Sequence, residues 1–389
     1  MNREEFRIGG RTFGPDKALV VAELGTGHGG DPVKARELCD AAGEAGADCI
    51  KFQIVYADEI LHPNTGELSL PGGRIRLYER FKELEVPPDF FAGLKDYVES
   101  RGLIFLCTPF GPRSAAELKA LNPALVKIAS PELNYTALLA ETARWGLPLL
   151  LSSGVSKLGD IEEALSLWRA ARTAGKGNTA DSGGAGDEAG LPVCLLHCVT
   201  AYPAPETDYN LRVLGNLAGI FGLSVGLSDH SRDPELIPAL GVAMGAAVVE
   251  KHFCLSRKDP GLDDPIALPP DDFSRMVRAI RQAQAAGPEE TVAALAAERG
   301  EDLVEAVLGD GVKRLAPSEL ANYERSNRSL HALRDIPRGA LIGPGDFAAL
   351  RTEKILRPGL PPSWAERIPG RKARQFIPSG EGIRFEDLS

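Results

Sequence analysis

The chain predicts an α/β protein: a (β/α)8 barrel followed by a small β-rich domain. Eight short runs rich in Val, Leu, Ile and Ala recur between residues 18 and 253, in the manner of buried parallel strands. Helical stretches separate most of them, and regular β–α alternation closes into a barrel more readily than it opens into a sheet. From about Ser329 the texture changes to short β-type runs carrying two similar turns, IPRG at 336–339 and IPSG at 377–380.

The elements follow in order. Residues 5–17 contain FRIGGRTFG, a short hairpin placed to plug one end of a barrel. The first strand is ALVVAEL (18–24), then GTGHGGD, then a helix from about Pro32 with Asp31 as its N-cap. Leu38, Ala41, Ala42 and Ala45 recur at helical spacing, and Gly46 ends the helix. Further strands fall at DCIKFQIV (48–55), LIFLCTP (103–109), LVKIAS (125–130), PLLLSSG (148–154), VCLLHCVT (193–200), SVGLSDH (224–230) and AVVEKHF (247–253). PDFFAGLKDYVESRG and DIEEALSLWRAAR are among the intervening helices. Residues 174–190 are Gly, Ala and acidic low-complexity sequence, expected to form a mobile loop without chemistry. The barrel domain spans 1–286 and ends with the helix DDFSRMVRAIRQAQAA. Residues 287–328 form a linker with two weak helical patches. The β-rich domain, 329–389, is near the lower size limit for folding alone and is expected to lean on a barrel.

With 389 residues, 43% hydrophobic and 25% charged, the chain has an ordinary globular composition. A net charge of −10 argues against binding nucleic acid through phosphate neutralisation, but leaves room for a local basic pocket. The start MNREEFRIGG has no signal-like apolar run, and no stretch reaches membrane-span length, so a cytoplasmic protein is expected. Six cysteines without metal-ribbon or disulfide-scaffold spacing read as reduced, buried thiols.

Polar residues gather at strand ends: Glu23, Lys51, Gln53, Thr108, Lys127, Ser130, Ser152, Thr200, Ser228, His230 and His252. The carboxyl end of a barrel is where active sites form, and a coordinated set is hard to explain by burial alone. His230 and His252 close adjacent strands and suit a divalent first-row ion, with positions left open for Lewis-acid chemistry. Asp229, Asp263 and Asp264 lie close by in sequence. Lys51 and Lys127 need anionic partners if they point inward. With the nearby hydroxyls they form a polycationic cup for a carboxylate and a phosphate; pairing with Glu23 or Glu132 and a Schiff-base role are the other readings. Glu23 reads as a base, a water-orienting group or a lysine partner. His28 reads as gating, structural or catalytic. GDGVKR and SSGVSK lack P-loop spacing.

These residues sit in motifs that resemble a known family. AELGTGHGGDPVKARELCDAAGEAGADCIKFQ is similar to the first βαβ unit of the sialic acid (N-acetylneuraminate) synthases. CTPF, KIASPELN, LLSSG, LHCVTAYPAP, GLSDHS, EKHF and DPGLDD follow in the family's order. RSLHALRDIPRGALIGPGDF and GRKARQFIPSGEGI resemble its antifreeze-like (SAF) domain. The resemblance implies a TIM barrel with a SAF domain that condenses phosphoenolpyruvate with an open-chain N-acylated aldose. N-acetylmannosamine, its 6-phosphate and a diamino-dideoxy analogue are the acceptors it allows, and the products are a nine-carbon 2-keto sugar acid and phosphate.

It also implies a divalent metal, Mn2+ or Mg2+, on His230 and His252. Lys51, Thr108, Lys127, Ser130, Ser152, Tyr202 and Ser228 would hold phosphoenolpyruvate, with Thr200 beside them. Glu23 would handle water or a proton at the reacting carbons, and Gln53, Glu132 and Asp263 would line the sugar side. In a domain-swapped homodimer the SAF domain would supply an arginine to the sugar, Arg357 first and Arg351 second. The chain departs from the family pattern at Gly27, at Gly73 or Arg74, at Thr200 and at Asp264. A related keto-deoxy sugar acid synthase, a metal-dependent aldolase and a non-catalytic carbohydrate-binding barrel are the competing functions.

Overall fold

The barrel strands are β1 (Leu19–Gly25), β2 (Cys49–Ile54), β3 (Ile104–Pro109), β4 (Val126–Ile128), β5 (Leu149–Ser152), β6 (Val193–Cys198), β7 (Ser224–Asp229) and β8 (Val248–His252). In this computed structural model, which describes residues 5–70, 73–175, 192–353 and 355–389, they form one sheet in the order β3-β2-β1-β8-β7-β6-β5-β4. The paired neighbours are parallel, and β3 and β4 lie side by side, so the order is that of a closed ring. The eight predicted strands are the eight observed.

Helices α1 (Pro32–Glu44), α2 (Pro88–Ser100), α3 (Pro112–Ala120), α4 (Thr136–Arg144), α5 (Leu158–Gly175), α6 (Val213–Phe221), α7 (Leu236–Ala243) and α8 (Pro270–Ala286) follow the strands in turn. The first shows why the alternation holds. Asp31 Oδ1 accepts from Val33 N at 2.7 Å and Lys34 N at 3.4 Å, and Pro32 takes the first helical turn. Ala35, Leu38 and Ala42 are buried, and Gly46, at φ +99°, stops the helix where a side chain would be strained.

Period-two alternation divides the strand residues between two cores. Val20, Ala22, Ile50 and Phe52 face the helices. Leu19, Val21, Leu106, Leu150 and Leu196 face the lumen, where they meet Phe6, Ile8 and Phe13. Those three come from the predicted plug, a hairpin of Phe6–Ile8 and Arg11–Phe13. Gly9 and Gly10, at φ +51° and +81°, make its two-residue turn. The six cysteines are buried and unbridged. Among the described residues no helix is long and apolar enough to cross a membrane. The low-complexity tract begins in the last residues of α5; residues 176–190 of it lie outside the described residues.

After α8, helices Pro288–Arg299 and Glu301–Leu308 pack against the barrel wall. The following segment crosses the carboxyl mouth. Glu319 Oε1 accepts from Val155 N at 2.7 Å and Thr200 N at 2.8 Å, and Asn322 Nδ2 donates to Thr200 O at 3.0 Å. The terminal domain is built on β9 (Arg328–Ala332) and β10 (Phe347–Arg351), an antiparallel pair. Its two similar turns pair with each other: Ile336 and Ile377 exchange backbone hydrogen bonds of 2.9 and 3.0 Å. Ile336, Ile342, Leu360, Ile368, Ile377 and Ile383 form its core.

This domain docks on the barrel of its own chain. Arg328, buried, donates to Glu132 Oε1 at 3.0 Å, to Phe110 O at 2.9 Å and to Glu59 O. Asn134 Nδ2 donates to Arg328 O at 2.8 Å. The Arg328–Glu132 pair thereby satisfies two buried charges within one polypeptide.

Three buried histidines outside the mouth are held neutral. His28 lies against Phe52, Phe90 and Phe91 and accepts from Gly30 N; burial, with the Lys34 charge adding, lowers its pKa to about 4. It faces the helices, so its role is structural rather than gating. His197, on Tyr209 O, is lowered to about 3 by burial and Lys313, and His331, on Gly380 O, to about 4 by burial. Each folded pKa lies below the 6.5 of the unfolded chain, so the unfolded state gains protons first. Their contribution is complete above pH 6.5 and is lost as the pH falls toward 4. Urea midpoints should therefore drop steadily between pH 7 and 5. His28→Gln should flatten that slope by about 1.4 kcal/mol per pH unit; an unchanged slope counts against a buried neutral His28.

Candidate active site

Above the apolar plug, the same inward positions turn polar. Glu23 on β1, Lys51 and Gln53 on β2, Thr108 on β3, Lys127 on β4, Ser152 on β5, Ser228 on β7 and Glu250 on β8 share the lumen. Lys127 Nζ lies 2.7 Å from both Glu250 carboxylate oxygens. Lys51 Nζ lies 2.7 Å from Glu23 Oε2, 3.4 Å from Glu250 Oε1 and 3.4 Å from Thr108 Oγ1. Gln53 Nε2 donates to Glu23 Oε1 at 2.6 Å, and Ser228 Oγ to Glu250 Oε1 at 3.1 Å. The cup is charge-balanced, two ammoniums against two carboxylates, rather than polycationic as expected. Burial alone would lower the Lys51 pKa, but Glu23 and Glu250 raise it. Burial lowers that of Lys127 despite Glu250, helped by the Lys51 charge. Burial would lift Glu250, but Lys127 and Lys51 overcome it and push it down to about 2.

The two histidines stand at the rim, with ring centroids 5.5 Å apart. Imidazole nitrogens are donors of the type that suits a divalent first-row ion. His230 Nδ1 is engaged at 2.8 Å by Val199 O, which leaves Nε2 as the free ligand atom. Burial lowers the His252 pKa to about 3, so its imidazole is neutral and able to ligate. No group of three or more His, Cys, Asp or Glu side chains is arranged to hold an ion among the described residues. Two imidazoles alone would leave most positions of an ion open to water and substrate. Tyr202 stacks on His230 at 4.3 Å and, 41% exposed, marks the opening. Asp263 Oδ2 is 3.8 Å from His252 Nδ1, and it also borders the Gly25 turn with Gln53 and Glu23.

On the β4–β6 side, Ser130 Oγ accepts from Gly154 N at 3.0 Å. A Cβ at Gly154 would collide with Thr200 Oγ1, Ser130 Oγ and Cys198 Sγ, so glycine is what lets these groups converge. Ser152 Oγ is buried without a partner, an arrangement that costs free energy unless a ligand completes it. Glu132 borders the mouth and holds Arg351 Nη2 at 2.7 Å as well as Arg328. Arg357 is held inside the terminal domain by Asp387 at 2.8 Å and Gly382 O at 2.8 Å, and is not brought to this barrel.

Parity along the strands explains what sequence reasoning missed. Glu250 is two residues from His252 in VVEKHF and so shares its inward face. Asp229 is one residue from His230 and so faces outward, where it pairs with Lys251 at 2.6 Å instead of approaching an ion. Asp264 turns from the site to accept from Gly261 N at 2.8 Å, and Arg74 pairs with Glu67 on a surface hairpin. A surface groove of about 600 Å3 between α3 and α4, lined by Ala115, Ala116 and Leu138, gathers none of these groups.

Comparison with known proteins agrees with this architecture. Residues 38–291 match the NeuB family and residues 327–389 match the SAF domain. The chain is 32% identical to the spore coat polysaccharide biosynthesis protein SpsE of Bacillus subtilis, over 98% of this chain and 97% of that protein. The crystal structure of SpsE superposes with a TM-score of 0.78 over 99% of both chains, at 30% identity. The N,N'-diacetyllegionaminic acid synthase of Legionella pneumophila is 30% identical over 95% of this chain and 94% of its own. The human N-acetylneuraminate-9-phosphate synthase is 27% identical over 96% and 93%. A lumen of paired lysines and carboxylates under two imidazoles, on a barrel that carries a SAF domain, thus belongs to an enzyme of the NeuB family.

Proposed function

We propose that the barrel joins C3 of phosphoenolpyruvate to the aldehyde carbon of an open-chain N-acylated aldose, giving a nine-carbon 2-keto sugar acid and phosphate. The observation that carries this reading is the unpartnered Ser152 hydroxyl, which faces a lumen holding Lys51 and Lys127 and lies below the imidazoles of His230 and His252. Relatives named for different sugars support the class of acceptor and leave its substituents open.

Lys51 and Lys127, with the hydroxyls of Thr108, Ser130, Ser152, Thr200 and Ser228, orient the carboxylate and phosphate through charge-assisted hydrogen bonds. Tyr202 closes that side. His230 and His252 would hold a Mn2+ or Mg2+ ion, which would supply Lewis-acid polarisation of the sugar aldehyde. As the new C–C bond forms, positive charge develops at C2, water adds there, and phosphate departs by C–O cleavage. Glu23, fixed by Lys51 and Gln53, orients that water or takes its proton. Glu250 keeps both ammoniums aimed into the lumen. Gln53, Asp263 and Glu132 meet the sugar hydroxyls, and Arg351, rather than Arg357, supplies the arginine within one chain.

Four measurements test this. With Mn2+, phosphate should appear only when phosphoenolpyruvate and an acceptor are both present, across a panel of N-acetylmannosamine, its 6-phosphate and diamino-dideoxy analogues. Oxygen-18 in the bridging position should leave with the phosphate; its retention in the keto acid overturns C–O cleavage, and a product formed from pyruvate without phosphate marks an aldolase. His252→Ala should lower Mn2+ affinity by more than the ~10–100-fold expected for loss of an outer partner, with turnover nearly abolished. Glu250→Gln should cost about 3–5 kcal/mol at pH 7, because it leaves two buried ammoniums short of a carboxylate. Glu250 stabilises the fold above its unfolded pKa of 4.5, and this is lost as the pH falls toward about 2. The variant should therefore lose that part of the acid limb of the stability curve.

A further inference from the structure

Behind β7 and β8, outside the lumen, three polar side chains are buried in an otherwise apolar layer. Asp229 and Lys251 are 1% exposed and Tyr209 is 0% exposed. Asp229 and Lys251 face each other across the β7–β8 ladder and pair at 2.6 Å. Removing two charges from water costs about as much as their attraction returns, so stability alone is a weak reason for such a pair. The direction of the bonds supplies another.

All of them end on the turn that carries His230. Lys251 Nζ donates to Ser231 O at 2.6 Å and approaches Ser231 Oγ at 3.1 Å. Asp229 Oδ1 accepts from Ser231 N at 2.8 Å and from Tyr209 Oη at 2.6 Å. Tyr209 Oη in turn accepts from His230 N at 2.8 Å and Ser231 N at 3.0 Å. Tyr209 is itself anchored, since its carbonyl accepts from His197 Nε2 at 2.6 Å. The backbone of His230 is thus gripped from outside the barrel while Val199 O fixes its ring from the side. His252 lacks a comparable ring anchor, because its Nδ1 lies 3.8 Å from Asp263 Oδ2, beyond hydrogen-bond distance.

We propose that Tyr209, Asp229 and Lys251 are positioning residues that hold His230 at the angle an ion shared with His252 requires. None of them touches the lumen. The proposal rests on the two-histidine metal reading above.

The test measures Mn2+ binding to the metal-stripped full chain by the electron paramagnetic resonance signal of free ion, for wild type, His252→Ala, Tyr209→Phe and Tyr97→Phe. Tyr97→Phe controls for loss of a tyrosine hydroxyl bonded to a carboxylate elsewhere, at Asp40. Tyr209→Phe should weaken the Mn2+ Kd by about 10–100-fold, with near-native circular dichroism, while Tyr97→Phe keeps the wild-type Kd. Wild-type affinity in Tyr209→Phe beside collapsed affinity in His252→Ala overturns the brace alone. Equal affinity in wild type and His252→Ala overturns the metal reading and the brace with it. If Tyr209→Phe loses its native circular dichroism, Asp229→Asn carries the same comparison, and wild-type affinity there overturns the proposal.

Discussion

The carboxylate of Glu250 sits between two lysines in the middle of the barrel, and the upper half of the lumen is arranged around it. Through Lys127 it reaches β4, through Lys51 it reaches β2, and Ser228 ties it to β7. Lys51 passes the constraint to Glu23 on β1, and Glu23 to Gln53. No member of this set can be ionised and buried alone, because an unpaired charge in that environment is far too costly. Among these paired charges, Ser152 Oγ is the buried hydroxyl left without a protein partner.

Much of the barrel was legible in the sequence because a parallel strand covered on both faces must be apolar throughout, and eight such runs stand out. The strand-end residues were legible for the complementary reason: a polar group interrupting such a run has to be used. What one-dimensional reading blurred was facing. His230 and Asp229 are neighbours in sequence but opposite in orientation, and Glu250 passed unnoticed beside the more conspicuous Lys251 and His252, although only Glu250 and His252 share the lumen. Glu132 was less legible still. Its partners, Arg328 and Arg351, lie nearly 200 residues or more downstream, at 196 and 219 positions along the chain, and no local period links them. The choice between Arg351 and Arg357 depends on how two domains dock, which no single segment encodes.

The segment before the terminal domain does more than connect. Glu319 holds the backbone of the turn after β5 and of the turn after β6 with one oxygen, and the same glutamate accepts from Ala316 N at 3.1 Å with the other. The rim that contains Ser152, Gly154 and Thr200 is therefore built partly from sequence outside the β/α repeat. Terminal domain and rim meet again at Glu132, so a shift of one is felt by the other through short, buried, charge-assisted bonds.

The small hairpin at the start of the chain closes the opposite end with Phe6, Ile8 and Phe13. It makes the lumen, among the described residues, a well closed at that end. A molecule lodged at the depth of Lys127 and Ser152 must pass the position beside Tyr202 and Arg351 on the way in, and again on the way out. The plug thus confines any approach to the deep polar residues to the carboxyl mouth, at the opposite end from the hairpin itself.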